Sequence, residues 1–125
     1  MEVENLRVQP EVEDAELALA WIEEISINDS VVDPNRTFDV AFSVDELIDR
    51  NPAKTWAVIT SISQMQMSSW AEANFSAGPL SSFVFRYGSR YSQEIRELAC
   101  ANPVFEKQLL GVVFQEEVER ILRRS

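Results

Sequence analysis

The chain has 125 residues, enough to bury a core without disulfides or metal ions. It contains no histidine and one cysteine, Cys100, which excludes an internal disulfide, serine–histidine or cysteine–histidine catalysis, and the usual zinc and di-iron sites. The formal net charge of −10 is uneven, because residues 1–50 carry −11 and residues 51–125 carry +1. An acidic front half disfavours nucleic acid and anionic membranes as partners and favours a basic protein.

No stretch of the sequence is apolar enough to span a bilayer, and the acidic N-terminus does not resemble a signal peptide. We therefore expect a cytoplasmic protein with no membrane attachment. Residues 1–10 are predicted to be a flexible lead-in, and residues 11–125 a single helical domain.

The first predicted helix runs from about residue 11 to residue 25, and a loop is predicted over residues 26–36. Apolar residues at helical spacing define its buried face. Four carboxylates fall on the opposite arc of the helix: Glu13, Glu16, Glu23 and Glu24. They form either a solvated exterior or a surface whose mutual repulsion a partner offsets.

Capping patterns predict the next two helices. Ser43 with Glu46 forms a capping box, which predicts a helix start at Ser43. Asn51 followed by Pro52 predicts the cap and first position of the following helix, which extends to about Gln66. That helix is apolar on most sides, which is typical of a central helix.

Caps and helix breakers divide the rest of the chain into short helices. Ser69 with Glu72 forms a second capping box, and Asn102 precedes another proline. Gly78 is predicted to end a helix in the left-handed conformation. Further boundaries are predicted at Pro79, Gly88, Ser89 and Gly111.

Every firm element is a helix, and the predicted turns between them are short, so consecutive helices should pack against each other. The sequence therefore predicts an all-α fold of six or seven short helices, packed as helical hairpins or as a short α-solenoid-like bundle. Cys100, between two alanines, is expected to be a small buried hydrophobe.

Four short motifs mark helix boundaries in the second half of the chain. They are Ala-Gly-Pro-Leu at residues 77–80, Tyr-Gly at 87–88, Asn-Pro-Val-Phe at 102–105 and Leu-Gly-Val-Val at 110–113. This set resembles an uncharacterised family of small bacterial helical domains, and the likeness spans roughly residues 15–114. The resemblance implies a helical fold and no assigned activity. Many relatives are expected to carry a histidine where this chain has Tyr87.

Three groups of residues are candidate sites. The acidic surface would bind a basic partner and comprises Glu13, Glu16, Glu23, Glu24, Asp29 and Asp33. The Arg–Tyr cluster would hold a phosphate or stack on a base, unless its arginines pair with the acidic front half, and comprises Arg86, Arg90, Arg96, Tyr87 and Tyr91. The third group consists of carboxylate pairs that could hold Mg²⁺ or act as acid and base, although their spacing is also expected by chance. These pairs are Glu13/Glu16, Asp45/Asp49, Glu94/Glu97 and Glu116/Glu119.

These observations favour a non-catalytic protein-binding module, a bacterial immunity or inhibitor protein whose acidic surface binds a basic toxin or enzyme. The alternative is a small helical scaffold or adaptor that binds through an apolar or concave surface. A carboxylate-based enzyme is the third possibility. No catalytic residue, metal ligand, cofactor or nucleic-acid partner is predicted.

Overall fold

The computed structural model describes residues 10–30 and 39–123, and within the first helix it describes the side chains from Glu13 to Ile27. All regular structure in these residues is helical. The helices are α1 (Pro10–Ser30), α2 (Asp39–Arg50), α3 (Pro52–Gln64), α4 (Ser69–Phe75), α5 (Ser81–Tyr87), α6 (Ser92–Ala101), α7 (Pro103–Leu109) and α8 (Gln115–Arg123). A π-helical turn, Ser76–Leu80, joins α4 to α5 without a break. The described chain thus forms seven continuous helices, which confirms the predicted all-α fold.

α3 lies at the centre of the fold, as its apolar character predicts. α1 packs along it, and α2, α5 and α7 also contact it. Its residues Val58, Ile59 and Ile62 are fully buried. The consecutive helices α2 and α3, and α6 and α7, pack against each other as expected, and α8 packs against α6. None of the described helices is long and apolar enough to cross a membrane.

Trp56 of α3 organises the aromatic part of the core. Its ring stacks on Phe83 of α5 with the centroids 5.5 Å apart, and it contacts Tyr91 and Phe105 at 6.2 Å and 6.1 Å. Phe83 also contacts Tyr87 at 5.4 Å. Each such ring pair contributes about 1 kcal/mol beyond its buried area. Tyr91, which directly precedes α6, therefore packs on rings of both α3 and α5, whereas Tyr87 packs on a ring of its own helix.

The two asparagine caps are confirmed. Asn51 Oδ1 accepts from Lys54 N at 3.1 Å. Asn102 Oδ1 accepts from Val104 N at 2.9 Å and from Phe105 N at 3.3 Å. Each asparagine is followed by a proline at the first helical position, where a missing N–H leaves no bond unmade.

α1 and α2 differ from the predicted boundaries. α1 continues to Ser30, so the predicted loop is wrong over residues 26–30, whereas residues 31–36 and the lead-in residues 1–9 lie outside the described residues. α2 begins at Asp39 rather than at Ser43, and Ser43 Oγ donates to Asp39 O at 3.0 Å instead of capping a helix. The first amides of α2 bond to Glu24 of α1, a partner that a local pattern cannot reveal.

Gly78 and Pro79 do not separate two helices. None of the three glycines has a positive φ, so the left-handed conformation predicted for Gly78 is wrong. Pro79 has no N–H for the usual helical hydrogen bond, and the wider π turn accommodates it. Ser81 closes this turn, because both its N–H and its Oγ donate to Ser76 O.

Gly88 and Gly111 allow close packing. A Cβ on Gly88 would lie 2.9 Å from Ile121 Cδ1, and a Cβ on Gly111 would lie 2.9 Å from Ser76 Cβ. The π turn is thereby packed directly against the segment that follows α7. Ser76 Oγ donates to Gln108 O at 2.8 Å and strengthens this contact.

Three smaller predictions are also wrong. α4 is capped by Ser68, which accepts from Ala71 N, one residue before the predicted Ser69. α6 begins at Ser92, so Ser89 caps no helix. Cys100 is exposed, because its neighbour Ala99 occupies the inward position of the helix.

Candidate functional site

The outward face of α1 combines exposed carboxylates with exposed aliphatic side chains. Glu16 and Glu23 are both exposed, and they are two helical turns apart on one side of the helix. Leu19 and Ile27 are 50% and 52% exposed. At the helical advance of about 100° per residue these four side chains fall within an arc of about 80°. Within the described part of the chain, the side chain of neither Glu16 nor Glu23 makes a hydrogen bond or an ion pair.

Glu13 is partly exposed and also contacts α3. Its Oε1 lies 3.5 Å from Lys54 Nζ, and Lys54 also donates to Asp14 Oδ1 at 2.6 Å. Asp14, which the sequence analysis missed, is only 6% exposed. Asp14 lies four residues before the buried Ala18 and therefore on the same face of α1. This position within the apolar stripe is what indicates, from the sequence, that its side chain is buried.

The environment of Lys54 favours its charged form. Burial lowers the pKa of Lys54, but the hydrogen bond to Asp14 and the charges of Asp14 and Glu13 raise it by more, so its pKa lies above 10.5. The ammonium group thus holds together two helices whose facing side chains include a nearly buried carboxylate.

Glu24 caps α2. Its Oε1 accepts from Val40 N and its Oε2 from Ala41 N, both at 3.0 Å. A carboxylate at this position satisfies two unpaired amides and interacts favourably with the helix dipole. Both oxygens of Glu24 are therefore engaged within the fold.

The other two members of the acidic surface cannot be placed by their side chains. Asp29 belongs to α1, but its side chain lies outside the described residues, and Asp33 lies outside them altogether. The structure thus brings only Glu16 and Glu23 together as free carboxylates on one described face.

The Arg–Tyr cluster does not converge on one point. Arg86 pairs with Asp49 of α2, and Tyr87 Oη donates to Ile48 O at 2.6 Å. Arg96 Nη1 donates to Ile121 O at 3.3 Å, near the carbonyl end of α8.

Tyr91 packs in the aromatic core, and Arg90 is exposed without a polar partner among the described residues. Among the described residues, Arg86 is therefore the one arginine of the cluster that pairs with the acidic front half.

Asp45 and Asp49 line a cleft of about 290 Å³ together with Ser82 and Arg86. Burial raises the pKa of Asp45, the charge of Asp49 raises it further, and Arg86 partly opposes both effects. Both carboxylates belong to α2. No group of three potential metal ligands occurs within the described parts of the chain.

An apolar patch, formed by Phe85, Val113 and Phe114, lies near the end of α5 and the start of α8. The rings of Phe85 and Phe114 are 4.7 Å apart, and Phe85 and Val113 are 61% and 64% exposed. These residues border a cleft of about 430 Å³. The sequence analysis missed this patch, although Phe85 falls outside the helical spacing of the buried residues around it.

Comparison with known proteins identifies a family. No curated protein and no solved structure is significantly similar to the chain. A family model matches residues 28–124, most of the chain, and begins after nearly all of α1, so the match does not extend to Glu16 and Glu23. The chain therefore belongs to a family of unknown function (DUF6869).

Proposed function

We propose that this protein is a non-catalytic binding module that uses the outward face of α1 to bind a basic partner protein. The observation that carries the proposal is the composition of that face, in which the carboxylates of Glu16 and Glu23 accompany the aliphatic side chains of Leu19 and Ile27. Carboxylates steer a basic partner and pair with it at the rim of a contact, and aliphatic side chains provide the apolar area that binding buries.

The charge of the chain supports the same proposal. The net charge of −11 in residues 1–50 attracts a basic protein over a distance of about 10 Å at moderate ionic strength, and it repels nucleic acid. An inhibitor or immunity protein that covers a basic toxin or enzyme in the bacterial cytoplasm has these properties.

A charge-reversal experiment tests this role. Proteins captured from a host extract by the immobilised chain at low salt are identified and purified, and their association rates are measured with wild type and with E16K/E23K. We expect the variant to associate about ten-fold more slowly with a basic partner. Its melting temperature should stay within about 2 °C of wild type, because neither carboxylate has a partner in the described fold.

The matched control is E94K/E106K, which changes the net charge equally at exposed positions of α6 and α7. It should slow association by about two-fold or less, since the added charge lies away from α1. Equal losses in the two double variants, or capture of acidic proteins only, would contradict the proposal.

The apolar patch favours a second candidate function, that of an adaptor. Phe85, Val113 and Phe114 would bury an apolar segment of a partner in the adjoining cleft. Salt distinguishes the two candidates, because a charge-led complex weakens between about 50 mM and 500 mM salt and an apolar one does not. F85S should abolish binding in the second case and leave it unchanged in the first.

A further inference from the structure

A cleft of about 340 Å³ lies where the end of α3 meets α4 and the start of α7. Its volume is within the range of pockets that hold small ligands or single side chains. Glu72 lines it together with three apolar side chains, Met65, Met67 and Val104, and the polar residues Ser63, Gln64, Gln66 and Asn102 complete the lining. We refer to it as the Glu72 cleft.

The carboxylate of Glu72 is held in place by a buried amide. Gln108 is only 2% exposed, and its Nε2 donates to Glu72 Oε2 at 3.2 Å. Its Oε1 accepts from the buried Ser63 Oγ at 2.7 Å. Because an ionised carboxylate only accepts hydrogen bonds, the amide must present its nitrogen to Glu72, so the orientation of Gln108 is determined.

The charge of Glu72 has no counterion in the described chain. No lysine or arginine there forms an ion pair with it, although its side chain is half-buried. The carbonyl end of α3 also borders the cleft, and the last turn of α3 contains no basic residue. The carbonyl end of α3 adds to the negative potential here and the first turns of α4 and α7 oppose it, so the unpaired negative charge at the cleft is that of Glu72 itself.

The walls of the cleft suit an aliphatic chain. Met65 and Met67 are flexible and polarisable, and Val104 is nearly half exposed. A ligand that fits both the apolar wall and the carboxylate has an alkyl stem, which packs against these side chains, and a cationic group, which pairs with Glu72. We propose that the Glu72 cleft binds the side chain of an arginine or a lysine.

The cation has two possible sources with the same chemistry. It is either a side chain of the protein partner or a free alkyl guanidine or alkyl amine. The first case rests on the proposed function, since it makes the cleft an anchor point for a basic partner. The second case is independent of it.

The direct test is a titration of the isolated protein, followed by NMR amide chemical shifts. The probe is Nα-acetyl-arginine amide, and the matched probe is Nα-acetyl-citrulline amide, which has the same shape without the charge. We expect saturable shifts at Met65, Met67, Glu72 and Val104 with a Kd of about 1 mM for the arginine probe. The citrulline probe should bind at least about five-fold more weakly.

Two variants locate the interaction. Glu72→Gln keeps an oxygen that accepts from Gln108 and loses only the charge, so it should fold and should bind the arginine probe about five-fold more weakly. Glu106→Gln changes an exposed carboxylate of α7 and should bind as wild type does. Equal affinity for the two probes, or equal affinity of wild type and Glu72→Gln, would overturn the proposal.

The source of the cation follows from the captured partner. If it is a side chain of the partner, E72Q should speed dissociation about five-fold without altering the association rate, whereas E16K/E23K acts on association. Binding of the arginine probe with no effect of E72Q on the partner complex identifies a free cation as the ligand. Because the titration needs no partner, failure of the cation site and failure of the α1 surface give different results.

Discussion

Lys54 Nζ donates to Asp14 Oδ1 at 2.6 Å and thereby joins α3 to α1, two helices that contact each other along their length. Asp14 is almost completely buried, and the ammonium group of Lys54 is its one ion-pair partner in the described chain. The contact that holds α1 against the core is therefore partly electrostatic, and α1 also carries the proposed binding face.

Removing the ammonium group should destabilise the fold. We expect Lys54→Met to lower the free energy of unfolding at pH 7 by about 2 kcal/mol, because it leaves a buried carboxylate unpaired. Urea unfolding measures the change. Lys107→Met, at an exposed position of α7, is the control and should change the free energy by less than about 0.5 kcal/mol.

The same pair predicts a dependence on alkaline pH. The folded-state pKa of Lys54 is raised above 10.5, so its contribution is complete below pH 10.5 and disappears as the pH rises through the raised value. The difference in melting temperature between wild type and Lys54→Met should stay constant from neutral pH up to pH 10.5 and shrink as the pH rises further, through the raised pKa. A difference that persists well above the raised pKa would show that the lysine stabilises the fold by packing alone.

The Glu24 cap predicts unequal effects of two adjacent substitutions on α1. Glu24→Ala should lower the free energy of unfolding by about 1 kcal/mol and speed hydrogen exchange at the amides of Val40 and Ala41, which lose their acceptor. Glu23→Ala, which removes an exposed carboxylate without a described partner, should change neither quantity measurably. Equal effects would contradict the assignment of Glu24 as the cap.

The negative charge of Asp45 should destabilise the fold, whereas the charge of a carboxylate in an ion pair stabilises it. Because burial, and then Asp49, raise its folded-state pKa above 3.8, ionisation of Asp45 opposes folding. We expect Asp45→Asn to melt about 1 °C above wild type at pH 7, and this advantage to disappear as the pH falls through the raised pKa to below 3.8. Glu46→Gln, which removes one negative charge at the adjacent exposed position, is the control and should not melt above wild type at pH 7.

Two glycines in the same region should tolerate alanine differently. Gly111→Ala should destabilise the fold by about 2 kcal/mol, because the new methyl group would lie 2.9 Å from Ser76 Cβ in the π turn. Gly78→Ala should stay within about 0.5 kcal/mol of wild type, since its Cβ meets open space and the helical preference of alanine is offset by the restriction that Pro79 imposes. Urea unfolding of both variants decides this, and equal losses would contradict the close approach of Gly111 to the π turn.

Features that depend on neighbouring residues were predicted well. Asn51 and Asn102 cap their helices through amides two or three residues away, so the local pattern contains both partners. The central position of α3 followed from its apolar circumference. The predictions for Gly78 and Ser43 were wrong. The residues around each are typical of a helix end, yet in the folded protein both lie inside a continuous helical segment, where packing against other elements outweighs the local preference.

The candidate site was predicted in part. The exposed positions of Glu16 and Glu23 followed from helical periodicity, because residues opposite a buried face point to solvent. The roles of Glu13 and Glu24 did not, since Lys54 and the first turn of α2 lie far along the chain from α1. The Glu72 cleft was not predicted either, because Glu72 and Gln108 are 36 residues apart.

The sequence by itself determined the helical class, the helix starts marked by the two Asn-Pro caps and the uneven charge of this protein, because these properties depend on periodicity, on capping within a few residues and on composition. Only the tertiary structure decided which acidic side chains are free. Glu13 and Glu24 on α1 are engaged by Lys54 and by α2, whereas Glu16 and Glu23 have no described partner. The physical reason is that a hydrogen bond or an ion pair acts over a few ångströms in space, and folding alone brings distant parts of the chain within that range.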